Sequence, residues 1–299
     1  MASAPRVAPG MYAGYAPGPM ARGEVTSAGR RGEQADAANV VPVIETSELT
    51  KRFKNVTAVD GLTFTVQPGR VTGFLGPNGS GKSTTLRMIL GLNEPTHGSA
   101  LIDGHRFRDS GTGLRRVGAL LDAGDVHKGR SARTHLMALA RSNGIGRRRV
   151  QRVLEEVGLS AVARRRVGGY SLGMRQRLGI ATALLGDPPV LIFDEPINGL
   201  DPEGIRWARE LFRQLAAEGR TVFVSSHLMS EMEHTADHLI VIGGGKLLAD
   251  ESLATFATRA PQPAGATVPA VPAIAPGALE AAFMSLTADS VEFRAGDRP

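Results

Sequence analysis

Gly76-Pro77-Asn78-Gly79-Ser80-Gly81-Lys82-Ser83-Thr84 is the stretch of sequence that decides how this chain folds. It fits the pattern Gly-x-x-x-x-Gly-Lys-Ser/Thr of the phosphate-binding P-loop. The apolar segment 71–75 precedes it and a helix-like segment, 82–90, follows it, which is the context that the motif requires. The glycines allow several backbone N–H groups to face one anion, and the helix start adds the positive end of its dipole. We therefore expect these residues to form a nucleotide phosphate site.

Two side chains of this loop have distinct expected roles. The ammonium group of Lys82 can reach the outer phosphates, and the hydroxyl of Ser83 can ligate Mg²⁺. The alternative is a glycine-rich turn that contains a lysine by chance. The motifs further along the chain decide between the two.

Composition sets broad limits on the protein. The chain has 299 residues, a hydrophobic content of 42% and a net charge of +6, so it can form one large or two modest domains. A moderately basic surface fits nucleic acid and the anionic cytoplasmic leaflet of a membrane equally well. The absence of cysteine from the sequence excludes disulfides and thiol chemistry, which agrees with a cytoplasmic location.

No segment is predicted to span a membrane. The longest uncharged run, residues 260–279, is interrupted by Pro261, Pro263, Pro269, Pro272 and Pro276. A lipid-exposed helix does not tolerate the loss of so many N–H donors. Prolines and glycines also break the apolar stretches near the N-terminus, so no secretory signal is predicted.

Apolar segments alternate with amphipathic ones along most of the chain, which predicts a largely parallel α/β core. Residues 44–46 and 62–66 suit strands before the P-loop. The later predicted strands are 189–193, 221–225 and 239–242, and the predicted helices are 133–143, 147–157, 175–185, 202–218 and 229–237.

A second chemical signal follows the apolar segment 190–193, which ends in Asp194-Glu195. Ligands of α/β sheets collect at the carboxyl ends of the strands. A carboxylate at that position can hold Mg²⁺, and its neighbour can orient a water molecule. The alternative is a strand followed by a solvated acidic turn, which the upstream P-loop disfavours.

Together with these motifs, five further elements give a family resemblance. The chain resembles the ATP-binding subunits of ABC transporters over about residues 43–255. Tyr170-Ser171-Leu172-Gly173-Met174 is similar to the family signature LSGGQ, but departs from it at the first, third and last positions. The other elements are Asn198-Gly199-Leu200-Asp201 (the D-loop), Ser225-Ser226-His227 (the switch histidine), Val117 to Asp122 (the Q-loop region) and Phe53, where the family usually has tyrosine.

A narrower resemblance comes from the signature segment and from Asp122, which stands where the family has glutamine. Both features are similar to those of the ATPase subunits of bacterial exporters of drugs and peptide antibiotics, of the daunorubicin- and bacitracin-resistance type. Residues 279–287 resemble the C-terminal motif of those proteins.

The resemblance implies an α/β P-loop NTPase of the ABC type, with a mostly parallel core sheet, an antiparallel β subdomain and an inserted helical subdomain. The expected segments are a disordered extension over 1–42, the ATP-binding domain over 43–255 with its helical subdomain at about 123–178, a Pro/Ala linker over 256–278 and a short tail over 279–299.

The resemblance also implies the cofactors, ATP and Mg²⁺, and the roles of single residues. Phe53 would stack on adenine, Glu195 would polarise the attacking water and His227 would contact the γ-phosphate. Ser83 and Asp194 would hold the metal, and Asp122 would contact it through water or else only cap a turn. The residues Ser171, Gly173 and Met174 of a second subunit would cover the nucleotide.

These roles imply a homodimer that acts on a separate membrane permease at the cytoplasmic face of the cell membrane. The rival hypothesis is a soluble ABC protein acting on ribosomes or DNA. Such proteins usually carry two ATP-binding domains or a long coiled-coil insertion, and this sequence shows neither. A nucleotide-gated module without turnover is disfavoured because both Glu195 and His227 are present.

Two arginine runs and a pair of histidines could each bind a ligand, but the sequence favours exposed surface positions for them. The runs 147–149 and 164–166 are each three arginines, and without interleaved aromatics they suit a solvated face near the membrane or permease better than nucleic acid. No nucleic-acid partner is therefore expected. His234 and His238 have a spacing that suits a metal site, but a shared exposed helix face is the favoured interpretation.

Overall fold

The computed structural model describes residues 43–111, 113–259 and 277–288. The expectations for residues 1–42, for most of the linker and for the end of the tail lie outside the described residues. The described strands are β1 (Ile44–Phe53), β2 (Val56–Val66), β3 (Val71–Leu75), β4 (His97–Ile102), β5 (Val117–Leu120), β6 (Val190–Asp194), β7 (Thr221–Ser226), β8 (His238–Gly243) and β9 (Lys246–Ser252). The helices are α1 (Lys82–Ile89), α2 (Ala132–Ser142), α3 (Arg147–Glu156), α4 (Leu172–Leu184), α5 (Pro202–Ala217), α6 (Met229–Glu233), α7 (Leu253–Ala257) and α8 (Ala278–Thr287).

The larger sheet has six strands in the order β5-β6-β7-β3-β8-β9. All neighbouring pairs are parallel except β8 and β9. Every residue of β3, β6 and β7 is buried, as expected for strands that are covered on both faces and therefore have apolar residues in succession. The predicted α/β fold with a mostly parallel core sheet is confirmed.

The smaller sheet is antiparallel, with the order β2-β1-β4. A cluster of three phenylalanines joins it to the larger sheet. Phe64 of β2 lies 5.7 Å from Phe74 of β3 and 6.0 Å from Phe223 of β7, measured between ring centroids. The rings of Phe74 and Phe223 are 5.2 Å apart. These contacts fix the antiparallel sheet beside the strand that leads into the P-loop.

Side chains at the N-termini explain where the later helices begin. Ser131 caps α2, Ser171 caps α4, and Asp201 caps α5, which has proline in its first turn. Helix α4 begins at Leu172, before the predicted start at Arg175, because the Ser171 side chain accepts a hydrogen bond from Met174 N–H. Helix α4 then packs against β5 and β6.

The predicted shared helix face of His234 and His238 is wrong. Helix α6 ends at Glu233, and His238 is the first residue of β8. The chain leaves the helix early because the N–H of Asp237 donates to the carbonyl of Val71 and draws this segment into the sheet. His238 Nε2 instead lies 2.6 Å from an Asp250 carboxylate oxygen on β9.

The C-terminal helix α8 packs against α6 and α7. Leu279, Ala282 and Phe283 are buried in the same core cluster as Met229 and Met232 of α6. The helix-forming composition of this tail therefore produces a helix that completes the core. Within the part of the chain that the structure describes, no helix is long and apolar enough to cross a membrane.

The phenylalanine cluster gives a stability prediction. Phe223→Ala should lower the free energy of unfolding by about 3–5 kcal/mol, because it removes a fully buried ring that contacts both sheets. Phe53→Ala is the matched control, since that ring is 46% exposed, and it should cost less than about 1 kcal/mol. Urea denaturation of the two variants and the parent chain measures both values. Equal losses would show that the cluster does not join the sheets as described.

Candidate nucleotide site

The P-loop, residues 76–84, follows β3 and requires glycine at two of its positions. A Cβ atom at Gly76 would lie 2.4 Å from Ser80 Oγ, and one at Gly81 would lie 2.4 Å from the carbonyl oxygen of Ala58 on β2. Gly81 also has a φ of +102°, which L-residues rarely adopt. The loop can therefore fold tightly against the antiparallel sheet only with glycine at both positions.

The start of α1 offers backbone donors to an anion. Gly81 is the N-cap residue and has no side chain to accept from the first turn. The N–H groups of Lys82, Ser83 and Thr84 lie in that turn, where a helix supplies no backbone acceptors of its own. The Ser83 side chain is exposed. This donor set fits a phosphate group, and the exposed hydroxyl beside it fits a ligand of Mg²⁺.

Lys82 is buried and directed back over the loop. Its Nζ donates to the carbonyl oxygens of Gly76 at 2.7 Å and Pro77 at 3.3 Å, and lies 3.7 Å from Glu195 Oε1. Burial lowers the pKa of Lys82, while the charges of Glu195 and Asp194 oppose that shift. The side chain is thus a desolvated cation between the P-loop and the acidic end of β6.

The acidic pair at the end of β6 is held by β7. Asp194 is buried, and the hydroxyl of Ser225 donates to its Oδ1 atom. The same Ser225 Oγ accepts from the backbone N–H of Glu195 at 3.0 Å. The parallel register pairs Asp194 with Ser225, so a single hydroxyl orients both acidic residues.

Glu195 has the most constrained carboxylate of the site. Its Oε2 atom accepts from Asn198 Nδ2 at 3.2 Å and lies 2.9 Å from His227 Nδ1, while Oε1 faces Lys82. Its backbone carbonyl accepts from Gln176 Nε2 of α4 at 3.3 Å. Its φ of +50° is in the left-handed region, which costs a residue with a Cβ atom about 1–2 kcal/mol. The surrounding hydrogen bonds hold that strained conformation.

The loop that carries His227 is tied to α6. The Ser226 hydroxyl donates to a carboxylate oxygen of Glu231 and accepts from the N–H of Leu228 at 3.0 Å. Burial raises the pKa of Glu231, and the hydrogen bond from Ser226 opposes the shift. Glu231 therefore fixes the residues on either side of His227.

The remaining predicted site residues lie apart from this cluster or are differently engaged. Among the described residues, no hydrogen bond or ion pair joins Ser171, Gly173 or Met174 to the P-loop. Phe53 is exposed at the end of β1, with Lys51 Nζ 5.1 Å from its ring centroid. Asp122 is exposed just after β5, and its Oδ1 accepts from Gly124 N–H at 2.6 Å. That contact matches the turn-capping alternative and leaves the second carboxylate oxygen for another role.

Three residues that hold the site were given no role by the sequence: Gln176, Ser225 and Glu231. Ser225 stands within a matched motif and Gln176 lies two residues after one, but only the fold shows that they bond to the acidic pair. Glu231 lies four residues beyond His227, and another glutamate, Glu233, lies two residues further on. The sequence alone does not show which of the two glutamates bonds to the loop of His227.

Replacement of Glu231 gives a prediction on the pH dependence of stability. An acid whose pKa is raised in the folded state stabilises that state fully below the unfolded pKa, and this contribution is lost as pH rises through the folded pKa. Glu231→Gln keeps an oxygen that accepts from Ser226 but cannot ionise. The melting temperature of the variant minus that of the parent should therefore increase as pH rises above about 4.3, the ordinary pKa of glutamate.

Thermal unfolding at several pH values measures this difference. Glu203→Gln, at an exposed position in the first turn of α5, controls for the loss of one negative charge. A constant difference between the Glu231 variant and the parent at all pH values would contradict the assigned burial cost.

Comparison with known proteins agrees with this site. A family profile described as ABC transporter matches residues 59–198. The bacitracin transport ATP-binding protein BcrA of Bacillus licheniformis is 45% identical over 211 residues, which are 70% of this chain and 69% of that protein. The Nod factor export ATP-binding protein I of Burkholderia pseudomallei is 38% identical over 215 residues, which are 70% of this chain and 71% of that protein.

A solved structure described as the ATP-binding subunit of an ABC transporter is also similar, with a TM-score of 0.66 and 28% identity over 72% of this chain and 92% of that one. The residues that the family profile matches include the P-loop and the acidic pair. The chain belongs to the ATP-binding subunits of ABC transporters, the ATPases that bind and hydrolyse ATP to power transport.

Proposed function

We propose that ATP is hydrolysed between the P-loop and the acidic pair Asp194-Glu195, and that Glu195 is the general base. The observation that carries this assignment is the placement of the Glu195 carboxylate, with one oxygen held by Asn198 and His227 and the other facing Lys82. A base held in this way can take a proton from a water molecule without first reorienting.

The phosphate-binding roles follow from the same geometry. The first-turn amides of α1 hold phosphate oxygens, and Lys82 exchanges its contacts with the carbonyls of Gly76 and Pro77 for contacts with the outer phosphates. His227, next to the Glu195 carboxylate, contacts the γ-phosphate. Phe53 stacks on adenine with the ring face that Lys51 leaves open.

The chemistry of the donor set fits Mg²⁺, which prefers oxygen ligands and here would neutralise charge on the phosphates. Ser83 would hold it through its exposed hydroxyl and Asp194 through the carboxylate that Ser225 orients. Asp122 would contact it through water, because its carboxylate is already joined to Gly124 N–H.

A prediction on Asp122 separates the water-mediated role from a purely structural one. Asp122→Gln should preserve or raise ATP turnover, because glutamine is about 1.5 Å longer and can reach the metal directly. Asp122→Ala should lower turnover. Steady-state phosphate release at saturating Mg²⁺ measures both variants, and equal activity of all three forms would assign Asp122 to the turn alone.

We propose that two copies of the chain act together. Leu172 of the signature segment is 48% exposed, and Gly173 lies against the carbonyl of Gly199 in the D-loop, so the two motifs form one exposed surface. In the proposed dimer this surface meets the P-loop of the second chain. Ser171, Gly173 and Met174 then cover the partner's nucleotide, which accounts for the lack of bonds, among the described residues, between them and the P-loop of their own chain.

We propose that the permease docks on a groove between the end of α1, β5 and the helical region, by which we mean the expected helical subdomain at about residues 123–178. This groove has a volume of about 550 Å³ and includes the exposed apolar residue Leu92, together with Val126 and Leu139. Asp122 lines it as well, so a segment of the permease in this groove would contact the loop that follows β5, the strand paired with β6. The proposed location is therefore the cytoplasmic face of the membrane.

We propose that residues 43–255 form the ATP-binding domain and that residues 123–178 form its helical subdomain. In support, α2, α3 and the start of α4 lie within the second range, outside the two sheets. Residues 256–278 would be the linker to the tail.

The names of two relatives, which refer to bacitracin transport and to Nod factor export, suggest export of a peptide-like or lipid-like substrate. The alternative of a soluble ABC protein acting on ribosomes or DNA is not favoured by these relatives.

A substitution of Glu195 tests the proposed chemistry. Glu195→Gln keeps the shape and the hydrogen bond from Asn198 but cannot accept a proton. It should bind ATP and lower turnover by roughly 10²–10⁴-fold, the usual contribution of a positioned base. Phosphate release measures the rate, and size-exclusion chromatography with Mg²⁺ and ATP should show accumulation of an ATP-bound dimer.

Glu203→Gln is the matched control, because it makes the same change at an exposed carboxylate and should turn over at the parent rate. Parent-like hydrolysis by Glu195→Gln would remove Glu195 from the role of base. A variant that stalls but stays monomeric at saturating ATP would contradict the two-chain arrangement while leaving the base assignment intact.

A further inference from the structure

Two basic segments of the helical region lie side by side, although more than 30 positions separate them in sequence. The segment 128–133 runs into α2, and the segment 163–168 precedes α4. Backbone hydrogen bonds of 2.9 Å join them, from Arg133 N–H to the Ala163 carbonyl, from Val167 N–H to the Arg130 carbonyl and from Gly168 N–H to the Lys128 carbonyl. An isolated bridge between Ser131 and Arg166 adds to the pairing. The fold thus places three further basic residues, Lys128, Arg130 and Arg133, beside the arginine run 164–166.

The resulting basic patch consists of Lys128, Arg130, Arg133, Arg164, Arg165 and Arg166, all exposed. None of these side chains forms an ion pair or a hydrogen bond with another described residue. Some other arginines of the protein are paired, as Arg149 and Arg220 are with Asp187. Like charges that are held together without counterions repel one another and create a positive potential. The patch is therefore suited to an anionic partner.

The patch lies next to the proposed permease groove. Asp125 and Val126 line the groove, and Lys128 follows two residues later. If a membrane-embedded permease occupies the groove, the patch is close to the cytoplasmic leaflet. Anionic headgroups of that leaflet attract basic residues within about a Debye length.

The composition of the patch favours lipid over nucleic acid. Single-stranded nucleic acids are usually bound by aromatic platforms between basic residues. Tyr170 is the aromatic residue nearest in sequence to the arginine run, and it is buried, with its hydroxyl donating to the Val162 carbonyl. Headgroup binding requires charge alone and has no need of a stacking surface.

We propose that the basic patch binds the headgroups of anionic phospholipids and holds the helical region against the membrane surface. The proposal depends on the membrane association that forms part of the proposed function. It assigns that association to lipid as well as to the permease. Each basic residue near an anionic bilayer contributes roughly a fivefold gain in affinity, so removal of three should weaken binding by about 100-fold.

The test uses the purified full-length chain and vesicle flotation. One set of vesicles is phosphatidylcholine alone, and the other contains about 30% phosphatidylglycerol. The variant Arg164→Gln/Arg165→Gln/Arg166→Gln removes half of the patch. The control Arg152→Gln/Arg206→Gln/Arg213→Gln removes the same charge from exposed positions on α3 and α5, none of which lines the groove.

The parent chain and the control should float with anionic vesicles and not with neutral ones, and binding should fall as salt rises from about 50 to 500 mM. The affinity of the patch variant for anionic vesicles should be about 100-fold weaker than that of the parent, while its melting temperature stays that of the parent. Equal binding to neutral vesicles, or equal loss in the patch variant and the control, would overturn the proposal.

Two parallel measurements separate other outcomes. The first is titration of the parent and the patch variant with a single-stranded oligonucleotide. If only the parent binds the oligonucleotide and neither binds vesicles, the patch would be assigned to nucleic acid instead. Phosphate release by the same preparations tests the proposed function independently. Hydrolysis without vesicle binding would defeat the lipid proposal alone, whereas vesicle binding without hydrolysis would defeat the ATPase assignments alone.

Discussion

The nucleotide site depends on the register of three parallel strands. Because β3, β7 and β6 are neighbours and point the same way, their carboxyl ends lie at one edge of the sheet. Leu75 pairs with Ser226 and Asp194 pairs with Ser225, so the P-loop, the switch loop and the acidic pair begin within a residue of one another. A slip of one residue in β7 would turn the Ser225 hydroxyl to the other face of the sheet and release both carboxylates.

The strands of the core were predictable where both faces are buried, because their apolar residues then follow one another without interruption. Strands β4, β5 and β9 were not predicted. Strands β4 and β9 are partly exposed, and their mixed composition does not distinguish a strand from a loop. Strand β5 is mostly buried, but it has only four residues, and the sequence identified that segment only as the Q-loop region. The P-loop and Asp194-Glu195 were recognisable because their chemistry requires residues that are adjacent in sequence. Gln176, Ser225 and Glu231 were not, because their bonds to the site join segments that only the folded sheet brings together.

The site residues also show how local structure and function share side chains. The Ser171 hydroxyl caps its own helix α4. The role that the family resemblance implies for Ser171, covering the nucleotide of a second chain, requires the same hydroxyl to face that chain. Glu195 adopts a left-handed backbone that costs stability, and four neighbouring residues hold its carboxylate and its carbonyl. Both residues lie at the ends of elements whose interiors are well packed. The rigid core therefore supports strained or exposed residues at its edge.

The docking of α8 has a consequence for the biosynthesis of the protein. This helix packs against α6, which begins two residues after His227. Residues 279–283 leave the ribosome after the P-loop and the acidic pair have emerged. Domains generally fold from the N-terminus as they are made. The packing of α8 against α6 therefore forms later than the P-loop, so a nascent chain can form its phosphate-binding loop before the support of its switch loop is in place.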